Sequence, residues 1–186
     1  MKRIRMSELS KDSSMRKSII RGILSGDVFL YPTDTLYGLG CDATNPRASG
    51  IIRNIKNSQN PFSVIAPSKE WIKDNLVVTR PEYLERLPGP YTLIFRMKSS
   101  VVCREVAENM LGVRIPDHPF TGIVQEAGTP FVTTSANISG ETPAWNTHGV
   151  PAYIEKKMNM VIDDGIIKNP PSRVIDLTGK KPRIIR

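Results

Sequence analysis

Between residues 10 and 26 the apolar side chains Met15, Ile19, Ile20, Ile23 and Leu24 recur at three- and four-residue intervals, so they share one face of a helix. Ser10 or Ser13 is placed to cap that helix and Gly26 to stop it. The unbroken apolar run 28–31, ended by Pro32, predicts a short buried strand. A loop is expected from there to Pro46, which opens a second helix with Ile51, Ile52 and Ile55 on one side, ending near Lys56. Further strands are expected at 62–66, 91–96, 112–116, 130–135, 160–163, 173–177 and 183–185, runs rich in β-branched and aromatic residues. Residues 71–76, 81–87, 118–127 and 152–158 read as short helices. Strands and helices mix without strict βαβ alternation, which predicts an α/β or α+β fold around a mixed, twisted sheet.

A length of 186 residues fits one domain spanning 1–186. With 39% hydrophobic and 24% charged side chains the chain can bury a core, which excludes wholesale disorder. No run approaches the ~18 apolar residues of a membrane span, and the start, Met1-Lys2-Arg3-Ile4-Arg5-Met6-Ser7-Glu8, lacks the apolar stretch of a signal peptide. A cytoplasmic protein with no membrane partner is expected. Cys41 and Cys103 lie far apart, and only His118 and His148 accompany them, so reduced thiols are expected and no metal site. The net charge of +8 sits at the two ends: residues 1–25 carry seven basic and two acidic side chains, residues 168–186 six and one. Such ends suit a polyanion such as RNA, by phosphate neutralisation and counterion release, but charge alone favours a solvated, solubilising basic surface.

Chemistry concentrates in two segments. Tyr31-Pro32-Thr33-Asp34-Thr35-Leu36-Tyr37-Gly38-Leu39-Gly40 leaves a buried strand and presents hydroxyls and a carboxylate at a sheet edge, where a small ligand can be met. The same residues also suit a plain turn. Thr133-Thr134-Ser135-Ala136-Asn137-Ile138-Ser139-Gly140 offers uncharged donors and acceptors fit for a ribose, a base edge or a phosphate oxygen, or for local capping alone. Lys56 ends the second helix with no acidic residue three or four positions away. Arg114 interrupts the apolar run Val113-Arg114-Ile115-Pro116, so it either faces solvent or meets an anion. Asp163-Asp164-Gly165 reads as a turn.

In order along the chain, the Tyr31–Gly40 segment, Lys56, Pro88-Gly89-Pro90-Tyr91-Thr92, Gly112-Val113-Arg114-Ile115-Pro116, Ser135-Ala136-Asn137-Ile138-Ser139-Gly140 and Ser172-Arg173-Val174-Ile175-Asp176 resemble the YrdC-like family, whose enzymes make threonylcarbamoyl-AMP. The resemblance covers residues 10–186 and implies a twisted mixed sheet flanked by helices around a basic concave cavity. It implies a nucleotidyltransferase reaction in which L-threonine, bicarbonate and ATP give threonylcarbamoyl-AMP and pyrophosphate, the product passing to a separate transferase complex that modifies tRNA. It further implies threonine contacts from Thr33, Thr35, Arg114 and Thr133, and ATP contacts from Lys56, Ser135, Asn137, Ser172 and Arg186. No acid–base catalytic residue and no protein-held metal follow from it, with magnesium arriving on the ATP phosphates.

The chain departs from the family pattern at four places. Lys56-Asn57-Ser58 stands where many members have Lys-x-Arg, and Ala66 where many have histidine. Ser172-Arg173-Val174 replaces Ser-Thr-Val, and the sequence ends at Arg186 without the additional domain of longer members. A serine cannot supply a bidentate guanidinium. Two other functions therefore stay open beside the synthase: an RNA-binding module of the same fold, and a divergent paralogue with another substrate. A broad Lys/Arg stripe in the cavity would favour RNA, and uncharged hydroxyl loops with a few lone cations a nucleotide and an amino acid.

Overall fold

In the computed structural model, which describes residues 1–9 and 12–186, the chain runs through β1 (Lys2–Arg5), α1 (Met6–Leu9), α2 (Ser13–Leu24), β2 (Phe29–Tyr31), β3 (Gly38–Gly40), α3 (Pro46–Lys56), β4 (Ser63–Ile65), α4 (Lys69–Asn75) and β5 (Leu76–Val77). It continues through a 3-10 turn (Pro81–Arg86), β6 (Tyr91–Met97), β7 (Met110–Arg114), α5 (Phe120–Ala127), β8 (Phe131–Ser135), a second 3-10 turn (Thr147–Gly149), α6 (Ala152–Glu155), β9 (Met160–Asp163), β10 (Arg173–Asp176) and β11 (Arg183–Ile184). Among the described residues the strands form one mixed sheet in the order β1-β9-β2-β3-β8-β4-β7-β6-β10-β11, with β5 paired to β6. The pairs β1–β9, β9–β2, β4–β7 and β6–β10 are parallel and the remainder antiparallel.

Period-two alternation sends successive strand residues to opposite faces. Phe29, Tyr31, Ile65, Phe131 and Ile162 pack with Ile19 and Ile23 of α2 and Phe120, Ile123 and Val124 of α5. Val28, Leu30, Val64, Val132 and Val161 pack on the other side with Ile52 and Ile55 of α3, Ile72 of α4 and Ile154 of α6. Both faces are therefore covered, which is why the strands read as unbroken apolar runs. Cys41 is buried and Cys103 half-buried, both as free thiols, and burial pushes the Cys41 thiol up to about 12. Among the described residues no helix is long and apolar enough to cross a membrane.

Helix ends follow local chemistry. Asp12, rather than Ser13, caps α2, accepting from the amides of Ser14 at 2.8 Å and Met15 at 3.1 Å, where its charge also complements the helix dipole. The alternative cap, Ser10, lies outside the described residues. Asn45 caps α3 ahead of Pro46, and Asn57 closes it in the left-handed region at φ 45°. Lys56 thus sits in the last turn, pointing toward the end of β8.

Three strands have no counterpart in the sequence pattern. In β1 only Ile4 is buried, the signature of a basic strand at the sheet edge. The two-residue β5 is too short to leave a periodic signal. The third, β3, occupies the stretch expected to be loop, and its Gly-Leu-Gly composition hides it. Glycine is required there: a Cβ on Gly40 would lie 2.3 Å from Phe131 Cε1 and 2.4 Å from the Val132 carbonyl oxygen. Gly40→Ala is accordingly expected to cost about 3 kcal/mol, as overpacking against backbone does. A urea denaturation midpoint unchanged from wild type would contradict this close approach.

Candidate functional site

A cleft of about 270 Å³ lies over the middle of the sheet, and six adjacent strands each give it a residue: Gly38 of β3, Ser135 of β8, Ser63 of β4, Arg114 of β7, Thr92 of β6 and Val174 of β10. Loop residues, Thr33, Pro61, Phe62, Pro171 and Ser172 among them, complete the wall. Hydroxyl side chains dominate it. Among the described residues lining it none is acidic and none is a lysine, and the guanidiniums of Arg114 and Arg186 supply its positive charge.

Arg114 is 6% exposed. Its Nη2 donates to a carboxylate oxygen of Asp34, and both Nη1 and Nη2 reach Thr35 Oγ1 at 3.4 Å. The other Asp34 oxygen accepts from the Asp117 amide at 3.2 Å. Thr35 Oγ1 in turn lies 3.0 Å from Thr33 Oγ1, which donates to the Leu36 carbonyl at 2.7 Å and accepts from the amides of Thr35 and Leu36. The segment is therefore both a Ser/Thr-type turn and the seat of the arginine. Arg114 Nε is buried with no hydrogen-bond partner. Burial lowers the Arg114 pKa from its ordinary value, Asp34 opposing the shift and the like charge of Arg186 adding to it. An orphaned buried donor costs about 1–3 kcal/mol.

The Ser135–Asn137 turn is held from beneath. Lys56 Nζ donates to the carbonyls of Ser135 at 2.9 Å and Asn137 at 2.7 Å, and to Asn137 Oδ1 at 2.8 Å. Ser135 Oγ donates to the same Oδ1 at 2.5 Å, and Asn137 Nδ2 to the Glu141 carbonyl. Burial lowers the Lys56 pKa to about 8, with Glu141 acting weakly in the other direction. At the opposite end Ser172 Oγ lies 2.9 Å from Thr92 Oγ1, and Arg186 Nε donates to the Ser172 carbonyl at 3.3 Å.

The chain matches the model of the Sua5/YciO/YrdC family, described as telomere recombination, over residues 21–186. It belongs to that family. It is 32% identical over 192 residues to the threonylcarbamoyl-AMP synthase of Marinobacter nauticus, a match covering 96% of this chain and 100% of that protein. The crystal structure of Pyrococcus abyssi Sua5 complexed with L-threonine aligns with a TM-score of 0.85 at 28% identity, covering 100% of this chain and 56% of that one, so the chain spans just over half of that protein's length. Escherichia coli YciO shares the fold, with a TM-score of 0.84 at 24% identity over 100% of this chain and 93% of its own.

Of the site residues expected for a Sua5/YciO/YrdC protein, Thr33, Arg114, Thr133, Ser135, Ser172 and Arg186 line the cleft. Thr35 lies one bond behind, on Arg114. Lys56 and Asn137 are 4% and 6% exposed and interlock under Ser135 instead of lining the cleft. The pairings of Asp34 with Arg114 and of Thr92 with Ser172 carry no signal in the sequence, since the partners are each 80 residues distant, beyond any local spacing. Neither Arg53 nor Arg173 fills the place left by Ser58. Arg53 spends its guanidinium on the carbonyls of Ser58, Asn60 and Glu105 and on the Phe62 ring, 3.9 Å from its centroid, while Arg173 is exposed on β10.

Proposed function

We propose that this chain is an L-threonylcarbamoyladenylate synthase that joins L-threonine, bicarbonate and ATP into threonylcarbamoyl-AMP, with release of pyrophosphate and water. The observation that carries the reading is the buried Arg114 side chain at the wall of a hydroxyl-lined cleft with no acidic lining residue among the described residues, in a chain whose full-length relative in M. nauticus is named threonylcarbamoyl-AMP synthase. The threonine amine takes up bicarbonate as a carbamate, expelling water. A carbamate oxygen then attacks the α-phosphorus, and pyrophosphate leaves. Carboxylate, carbamate and phosphates all carry negative charge, so fixed donors and cations do the work that an acid–base pair does elsewhere.

In this reading Arg114 meets the threonine carboxylate or carbamate, with Thr33, Thr35 and Thr133 orienting the amino acid. Ser135, Ser172 and Arg186 contact the nucleotide, and Lys56 and Asn137 hold the Ser135 turn against it, Lys56 adding its charge from below. Magnesium enters as the ATP complex, coordinated by phosphate oxygens and water, since no lining side chain among the described residues is acidic. The product serves a separate tRNA threonylcarbamoyl transferase complex, and the chain works as one cytoplasmic domain over 1–186. Two lone guanidiniums among hydroxyls suit a nucleotide and an amino acid better than an RNA groove, which tracks its ligand with a stripe of cations.

The reading is tested by incubating the protein with ATP, magnesium and bicarbonate and each amino acid in turn. Pyrophosphate release is expected with L-threonine and to stop when bicarbonate is removed. Folded protein that releases none with any amino acid would return the chain to the paralogue or RNA alternatives.

A further inference from the structure

Residues 164–172, which join β9 to β10, pass along the cleft and give it Pro171 and Ser172. The segment grips the site at Tyr37, whose hydroxyl donates to the Gly165 carbonyl at 2.9 Å and accepts from the Asp164 amide at 2.8 Å, and at Asn169. The Asn169 backbone N–H donates to the Thr35 carbonyl at 3.2 Å, and its side-chain Nδ2 donates to the Asp34 carbonyl at 2.9 Å. Those two residues are the ones whose side chains hold Arg114. One asparagine thus fixes from outside, by backbone, the pair that orients the guanidinium from within.

Two further features make Asn169 an anchor. On its N-terminal side the segment is tied to the loop after β8: the Ile167 amide donates to the Trp145 carbonyl at 2.7 Å, and Lys168 Nζ sits 4.0 Å from the Trp145 ring centroid. On its C-terminal side Pro170 and Pro171 have fixed φ angles, so the place of Asn169 largely dictates where Pro171 and Ser172 meet the cleft. Asn169 itself is exposed and adds nothing to either hydrophobic cluster. Removing its amide therefore disturbs the Asp34–Thr35 backbone without opening the core.

We infer that Asn169 is a positioning residue for the amino-acid end of the site, setting Asp34 and Thr35 and through them the direction of the Arg114 guanidinium. The assignment rests on the proposal that this end takes threonine. It is specific to a carboxamide: an aspartate at 169 would set a carboxylate oxygen against the Asp34 carbonyl where Nδ2 now donates.

The experiment compares Asn169→Ala and Asn169→Asp with wild type, by calorimetric titration of L-threonine, steady-state KM for threonine and for ATP, and melting temperature. Losing one neutral hydrogen bond predicts a threonine KM about fivefold higher in Asn169→Ala, and the repulsive contact predicts a larger rise in Asn169→Asp. The KM for ATP and the melting temperature are expected to stay at wild-type values in both. Unchanged threonine curves overturn the positioning role, as do threonine and ATP requirements that rise together with a falling melting temperature. Wild-type protein that neither binds threonine nor releases pyrophosphate overturns the threonine reading itself, and the assignment falls with it.

Discussion

Arg114→Lys is expected to raise the threonine requirement roughly ten- to a hundredfold while leaving the ATP requirement near wild type. Lysine keeps a positive charge beside Asp34 but loses the planar fork that reaches Asp34, Thr35 and a ligand together. A charge-assisted hydrogen bond is worth about 1.5–3 kcal/mol, which is the origin of that range. Alanine is the less informative change. It strands the Asp34 carboxylate, only 10% exposed, without its partner, and breaking a buried pair costs about 3–5 kcal/mol of folding stability. Threonine titration at saturating ATP reads the lysine variant cleanly, and an unchanged curve would remove Arg114 from the amino-acid site.

The second large effect is expected at Lys56. Viewed along the sequence, a helix-end lysine with no acidic neighbour has no structural role, so Lys56→Ala should harm ATP use far more than stability. The fold gives it such a role, because four acceptors 79 to 81 residues away, Ser135 Oγ at 3.4 Å among them, converge on its ammonium. Lys56→Ala strands the Asn137 carbonyl, while the Ser135 carbonyl keeps the Asn137 amide and Asn137 Oδ1 keeps the Ser135 hydroxyl, so about 1–3 kcal/mol of stability should be lost alongside ATP affinity. Normal stability with abolished ATP use would instead put the ammonium on the phosphates.

The titration of Lys56 sharpens the comparison. Its native pKa of about 8 lies below the ordinary value of 10.5. Above about pH 8 a neutral amine has two protons for four acceptors, so ATP affinity should fall as the turn loosens. The stability contribution runs the other way. Between about 8 and 10.5 the unfolded chain binds more protons than the native one, so this group makes stability rise with pH, the full cost of burying the ammonium being present below 8. Opposite trends in ATP affinity and in melting temperature across that interval are the expected signature, absent in Lys56→Ala.

Much of the fold was legible because the sheet is covered on both faces and its strands carry continuous apolar runs, and because Pro46 opens α3 ahead of the one-sided Ile51, Ile52 and Ile55. The elements that escaped are those whose cause is not local. Gly38-Leu39-Gly40 is a strand because Phe131 and Val132 press so closely on Gly40, which no propensity reveals. The site divides in the same way. Hydroxyl clusters leaving apolar strands marked Thr33, Thr133 and Ser135, and an arginine inside an apolar run marked Arg114. Which of them faces the cleft, which braces it, and what fixes the bracing depend on contacts such as Asn169 with Asp34, 135 residues apart. Spacing along the chain carries no trace of those.

The most direct measurement is the mass of the nucleotide product formed from ATP, L-threonine and carbon-13-labelled bicarbonate. A threonylcarbamoyl adenylate, heavier by the one labelled carbon and formed in step with pyrophosphate, is the expected result. An unlabelled threonyl adenylate, or no adenylate at all from folded protein, would contradict carbamate capture in the Arg114 cleft.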